Sequence, residues 1–260
     1  PARAKLFANL GVGTIGDLGC FSIACYKIVG GGEGGLVLTK DKRLWDRANQ
    51  MAEGGGLWRP NRFALPRYEG ELFCGTNYRM SELEAAVDVV QLGRMRATVK
   101  RFRAVKHQVL KRLKTFRDIV PQTLNDADGE VGYALRFFPS TVDLAVKITQ
   151  ALTAEGVSAG TRGPNAGPDW HIYHDMYPLT LKRGHTKANC PYECAIYAKR
   201  GGKIRYAKGD CPVADDLYDR MVSVSLNQWY TPADCRHIAD GINKVLAAYC
   251  KPDSRATPWW

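Results

Sequence analysis

Apolar positions along the chain recur in two ways. Leu92, Met95, Val99, Phe102, Val105, Val109, Leu110 and Leu113 return every three or four residues, with polar and basic residues between them. That spacing predicts a long amphipathic helix. Ser81 is its predicted opening, because Glu82 and Glu84 place carboxylates in the first turn, where the helix dipole favours them. The helix is predicted to run to about Phe116, with a kink allowed near Gly93. Thr141 to Glu155 reads as a second helix stopped by Gly156. Thr231-Pro232-Ala233-Asp234 opens a third, with Thr at the cap and Pro in the first turn, and it ends near Tyr249. Lys42 to Ala52 and Val213 to Arg220 read as shorter helices.

The second pattern is the short apolar run bounded by glycine or charge, which reads as a strand. Cys20 to Ala24 is such a run and is predicted to be buried. Gly35 to Thr39, Gly132 to Pro139, Val157 to Thr161 and Met221 to Leu226 are the others. Residues 1–20 read as a loop and short strand, 53–76 as irregular, 118–130 as a polar connection, and 162–210 as the least patterned part. The tail from Lys251 to Trp260 reads as loose. Strands and helices in this order predict an α/β fold.

Composition narrows this picture in three respects. The chain has 260 residues and 45% apolar composition, enough for a real core. No stretch is long and apolar enough to cross a bilayer, and Pro1 to Phe7 lacks the apolar core of a signal peptide, so the expected location is cytoplasmic with reduced thiols. Of eight cysteines, only Cys190, Cys194 and Cys211, with His185, cluster locally, and their spacing is a poor zinc signature, so no metal is expected.

The net charge of +11 is concentrated between Arg94 and Arg117, where ten Lys or Arg residues occur with no acid between. Nucleic-acid binding is one reading of that run. A solvated basic face of the amphipathic helix is the other, and it is favoured because no nucleic-acid motif or interleaved aromatics accompany the charge.

Candidate chemistry centres on Lys27. Ser22 lies five residues before it, and Gly32-Glu33-Gly34-Gly35 begins five residues after it. A lysine among apolar and small residues loses its proton readily, and a neutral amine attacks an aldehyde, which is the Schiff-base chemistry of pyridoxal 5'-phosphate. A nearby hydroxyl suits a phosphate oxygen, and glycines let the backbone approach closely. No Gly-Lys-Ser/Thr follows, so this is not a Walker loop.

The run from Gly16 to Gly35 resembles the lysine segment of the DegT/DnrJ/EryC1/StrS family of sugar aminotransferases, which are fold-type I pyridoxal phosphate enzymes. Gly75-Thr76-Asn77-Tyr78-Arg79-Met80 and the helix after it resemble a second segment of that family, and Cys211-Pro212 through Leu226 a weaker third. The resemblance implies a partial large domain over residues 1–92, a connecting helix over 93–118, a small C-terminal α/β domain over 119–250 and a tail over 251–260. It implies Lys27 as the Schiff-base residue and proton carrier, Ser22 as a phosphate ligand, and Asn77 as a residue reaching a neighbour's cofactor phosphate across a dimer interface.

Each residue also has a plainer reading: Ser22 as a strand hydroxyl, Asn77 as a turn residue, and Tyr78 as packing. Arg79 pairs with Glu82 or another carboxylate, or holds an anionic substrate. His171 and His174 meet a sugar hydroxyl or phosphate, or pack as aromatic-like residues in a loop.

By the same resemblance the reaction is transfer of an amino group from glutamate or glutamine to a keto-sugar, nucleotide-linked or acidic, in a homodimer or heteromer. The family's pyridine-binding Asp, stacking aromatic and phosphate-binding helix start lie upstream of the lysine and outside this sequence. Three readings therefore stand: the C-terminal part of a sugar aminotransferase, a non-catalytic or split-subunit partner of one, and a basic nucleic-acid-binding protein.

Overall fold

A computed structural model describes residues 11–55, 65–163, 166–203 and 205–260. The chain divides into two compact units, Pro1–Arg101 and Phe102–Trp260.

The first unit holds β1 (Gly19–Ser22), β2 (Gly35–Leu38) and α1 (Lys42–Ala52). The strands form a two-stranded antiparallel ribbon with Gly19 opposite Leu38 and Ser22 opposite Gly35. Asp41 caps α1 by accepting from the backbone N–H groups of Arg43 and Leu44 at 2.7 and 3.0 Å. The expectation of a buried strand over Cys20 to Ala24 is not met. Cys20, Phe21 and Ser22 are exposed, and burial begins only at Ile23 and Ala24, after the strand ends. An apolar run reports that a strand can be buried; it carries no information about the layer that covers it.

Helix α2 (Glu82–Leu110) begins in the first unit and ends in the second. Ser81 and Glu84 form a reciprocal cap. The Glu84 N–H donates to Ser81 Oγ at 3.2 Å, and the Ser81 N–H donates to Glu84 Oε2 at 3.3 Å. The helix stops six residues short of Phe116. Its end is fixed from the last helix of the chain: Asn243 Nδ2 donates to the Arg112 carbonyl and Asn243 Oδ1 accepts from the Lys114 N–H, both at 2.8 Å. Those bonds satisfy groups that another helical turn would have used.

The second unit adds β3 (Ile119–Pro121), β4 (Ala134–Pro139), α3 (Val142–Ala154), β5 (Ala159–Thr161), α4 (Tyr177–Thr180), α5 (Ala195–Lys199), α6 (Pro212–Arg220), β6 (Val222–Ser225) and α7 (Pro232–Tyr249). Its sheet has the order β3-β4-β6-β5 with every neighbouring pair antiparallel. Strand β3 falls within the segment expected to be a polar connection; three residues are too few to display a period. Helices α4 and α5 likewise fall in the segment without pattern.

Thr141 and Thr231 cap α3 and α7, Thr231 in a capping box with Asp234. Gly156, at φ +79°, ends α3 in a conformation that a side chain rarely adopts. Phe137, Val222 and Val224 on the sheet pack with Val109, Ile148, Leu152, Ile242 and Leu246 from the helices into one core.

The C-terminal tail is tied down rather than loose. Trp259 is buried edge-on against Phe137, its Nε1 donates to the Lys114 carbonyl at 2.9 Å, and Thr115 Oγ1 donates to the Asp253 carbonyl at 2.7 Å. An indole with one polar atom enters a core readily when that atom finds an acceptor.

The basic run is partly absorbed by the fold. Lys106 is buried, with Nζ 2.6 Å from both oxygens of Glu130; Arg103 Nε donates to the Glu130 carbonyl at 2.5 Å; and Arg117 pairs with Asp253. The apolar stripe is buried only in its second half: Val105, Val109 and Leu110 are core, whereas Leu92 and Met95 are exposed. No described helix is long and apolar enough to cross a membrane.

Candidate active site

Lys27 sits on a loop whose ends are pinned together. The Ile23 N–H donates to the Gly34 carbonyl, the Gly31 N–H returns to the Ile23 carbonyl, and Ala24 bridges to Gly32. The Lys27 N–H closes a turn onto the Ala24 carbonyl at 2.9 Å. The backbone behind it lies close to its surroundings, and at Gly30 a main-chain contact requires glycine. A Cβ on Gly30 would lie 2.5 Å from the Cys25 carbonyl oxygen, and one on Gly31 would lie 2.1 Å from Asp88 Oδ1. Glu84, Asp88 and Gln91 meet this loop from α2 at helical spacing: Glu84 beside Gly32, Asp88 beside Gly31, and Gln91 Nε2 donating to the Gly30 carbonyl at 3.2 Å. Sequence reading took Glu84 only as a helix-start carboxylate and passed over Asp88 and Gln91, although their i, i+4, i+7 spacing was a signal that could have found them.

The expectation that apolar neighbours enclose Lys27 is corrected. Lys27, Cys25 and Tyr26 are exposed, and Ile28 and Val29 are half-buried. The Lys27 Nζ lies 4.3 Å from the Tyr26 ring centroid. Ser22 is exposed, and its Oγ accepts from the Ala24 N–H at a long 3.4 Å, so its own hydrogen can be given to an added acceptor. Asn77 bridges to Glu53, and its Oδ1 accepts from the backbone N–H and Nε of Arg79 at 3.2 and 3.1 Å. Asn77 and Arg79 are exposed, and Tyr78, read as packing, is exposed too.

The residues offered for the substrate lie in the second unit and differ in environment. His171 is exposed, and both its N–H and its Nδ1 are 2.9 Å from Asp169 Oδ1. The His174 side chain is 8% exposed, with Nδ1 3.0 Å from Asp175 and Nε2 3.7 Å from Asp215. Around it runs a polar network. Tyr173 Oη donates to Asp215 Oδ2 at 3.0 Å and accepts from the Cys211 N–H at 3.0 Å, while Arg162 Nη2 donates to Asp175 Oδ2 at 2.6 Å. The Asp169 N–H beside Asp175 holds its carboxyl down at about 2, helped by Arg162 and His174 and opposed by burial. Burial pushes the Tyr173 phenol up. Sequence reading missed Arg162, Tyr173 and Asp215, because nothing in one chain's sequence shows that Arg162 meets Asp175 or that Tyr173 meets Asp215.

Among the described residues no three of His, Cys, Asp and Glu gather as a metal site. Cys190 is raised by its interaction with Cys194, and Cys235 and Cys250 are core residues, the latter pushed by burial up to about 11.

A profile of the DegT/DnrJ/EryC1/StrS aminotransferase family matches residues 6–178, two-thirds of the chain. The chain belongs to that family. A putative L-glutamine:3-amino-2,3-dideoxy-scyllo-inosose aminotransferase of Micromonospora echinospora is 31% identical over 245 residues, covering 90% of this chain and 54% of that protein.

Among solved structures, an aminotransferase from Psychrobacter cryohalolentis superposes with TM-score 0.62 at 20% identity over 92% of this chain and 58% of that one. Helicobacter pylori PseC, an aminotransferase involved in the biosynthesis of pseudoaminic acid, gives TM-score 0.59 at 16% identity over 93% of this chain and 56% of that one. The fold is therefore that of the fold-type I aminotransferases. The chain spans about half the length of the curated relatives it matches.

Proposed function

We propose that the chain is part of a sugar aminotransferase that moves an amino group from glutamate or glutamine to a keto-sugar. The observation that carries this reading is the exposed Lys27 amine on a loop pinned at both ends, with glycines closing the loop and an exposed Ser22 hydroxyl at the end of the strand that leads into it.

These residues fit pyridoxal 5'-phosphate in two respects: the amine is accessible for covalent attachment, and Ser22 has a hydrogen to give a phosphate oxygen. When bound, that cofactor supplies an electron sink for the carbon that loses its proton. Lys27 Nζ then has two tasks, holding the cofactor at rest and carrying the proton during transfer. Ser22 and Asn77 serve the phosphate, and Arg79 and His171, both exposed, serve the substrate. The burial of His174 between Asp175 and Asp215 supports a positioning role for it instead of direct substrate contact.

A homodimer, or a heteromer with a second polypeptide, is the proposed assembly. The second arrangement is supported by β2, whose Leu36, Val37 and Leu38 are uncovered on both faces. The eight free cysteines suit a reducing cytoplasm.

The test is borohydride trapping of the protein with pyridoxal 5'-phosphate, followed by peptide mass spectrometry. One added cofactor mass on the peptide containing Lys27, absent in Lys27→Ala, is the expected result. Label spread over several exposed lysines, or none at Lys27, would overturn the reading.

A further inference from the structure

Arg162 lies at the end of β5, in the second unit, and takes no part in the role proposed for Lys27. It lines a cavity of about 550 Å³ together with Ser158, Gly160, Asp169, Ser223 and Ser225. Its Nη2 is bonded to Asp175, and Asp175 is fixed in turn by the Asp169 N–H at 3.0 Å and by His174. Its Nη1 is buried and has no partner among the described residues. A buried guanidinium N–H without an acceptor carries a desolvation penalty that an incoming oxygen would remove.

The rest of the lining is hydroxyl-rich. Ser223 and Ser225 alternate along β6 with the buried Val222 and Val224, so they share the face turned away from the core. Gly160 pairs with Ser223 across the strands, and a Cβ built on it meets nothing within 4 Å, so the floor of the cavity is open there.

Charge selects the ligand. The one guanidinium charge is already matched by Asp175, and Asp169 brings a second carboxylate to the same cavity. The backbone N–H of His171 holds the Asp169 carboxyl below its usual range. A phosphate dianion would meet that second carboxylate with about twice the repulsion that a monocarboxylate meets. A single carboxylate needs only the Arg162 Nη1, and neighbouring hydroxyls could pair with Asp169 and the serines.

We propose that this cavity binds a polyhydroxylated monocarboxylate, an acidic sugar or sugar acid, with its carboxylate on Arg162 Nη1 and its hydroxyls on Asp169, Ser223 and Ser225. As the name of the acceptor class, this rests on the sugar-transaminase reading; the binding itself requires no cofactor.

Calorimetric titration of the full chain with D-gluconate, D-glucose, acetate and inorganic phosphate tests it. Gluconate is expected to bind at least about tenfold more tightly than each of the other three. Arg162→Gln is expected to weaken gluconate about tenfold or more. That variant also breaks the bond to Asp175, so Gly160→Leu, which fills the cavity without touching the network, provides the second measurement and should weaken gluconate as much.

Phosphate binding as tight as gluconate, glucose binding as tight as gluconate, or gluconate affinity unchanged in Gly160→Leu would each overturn the proposal. Trapping at Lys27 is read separately. A protein that traps the cofactor but ignores gluconate loses only this site, and one that binds gluconate without trapping loses only the transaminase reading.

Discussion

In residues Phe102–Trp260 the central strands lie against helices, and Phe137, Val222 and Val224 are at most 1% exposed. In residues Pro1–Arg101 the strand β2 carries Leu36, Val37 and Leu38 at 49%, 51% and 46% exposure, and Ile23 and Ala24 are the buried apolar residues described there. Both regions contain apolar strands and capped helices. What separates them is a second layer. A strand that is apolar on successive residues needs cover on both faces, and among the described residues every position of β2 stays exposed. Helix α2 shows the same contrast within one element, exposed at Leu92 and Met95 and buried at Val105 and Val109.

The largest effect that would sharpen this contrast comes from truncating equivalent apolar residues. Phe137→Ala should destabilise the second unit by about 3–5 kcal/mol through lost burial and the cavity left behind. Leu38→Ala should change stability by no more than about 0.5 kcal/mol, because half its side chain already faces solvent. Urea unfolding of both variants measures the difference. A Leu38 cost comparable with that of Phe137 would show that the ribbon is covered.

An intermediate effect is expected from the polar network of the second unit. Asp175 is held at about 2 against an ordinary 3.8, so it contributes about 2 kcal/mol at neutral pH. Its folded-state value is depressed, so this stability is fully present above pH 4 and is lost as pH falls through 2. Asp175→Asn should therefore cost about 2 kcal/mol at pH 6 and nearly nothing at about pH 1, read from unfolding curves at the two pH values. A cost independent of pH would remove the charge from the explanation.

The smallest effect compares two caps of the same design. Ser81→Ala at α2 and Thr231→Ala at α7 each remove one side-chain bond to a helix N-terminus and should cost about 1 kcal/mol where the cap is coupled to a core. Thr231 meets that condition, since α7 packs into the core; Ser81 opens a half-helix with exposed apolar residues. Thermal unfolding should register Thr231→Ala clearly and Ser81→Ala weakly.

Elements governed by local rules were readable from the sequence. Lys42–Ala52 was predicted to the residue, and α3 and α7 within one residue at each end, because caps, glycine stops and helical spacing act within a few positions. Strand β3, helices α4 and α5 and the anchoring of Trp259 were not readable. Three to five residues show no period, and Trp259 is fixed by Phe137 and Lys114, more than a hundred positions away. The site divides in the same way. Lys27, Ser22 and the glycines stood out as candidates because they are picked out by spacing along one segment. Asp88, Arg162 and Asp215 did not, because each acquires its role from a group brought to it across the fold.

The sequence by itself determined the α/β class, the positions of α3 and α7, the start of α2, the family and the lysine segment, all of which follow from short-range order along the chain. Only the tertiary structure decided that Lys27 stands open on a pinned loop, that His174 is enclosed between two carboxylates while His171 is exposed, and that Arg162 keeps one N–H unmatched beside a cavity. Burial and pairing depend on which distant segments arrive at a point, and the spacing of residues along the chain does not specify that.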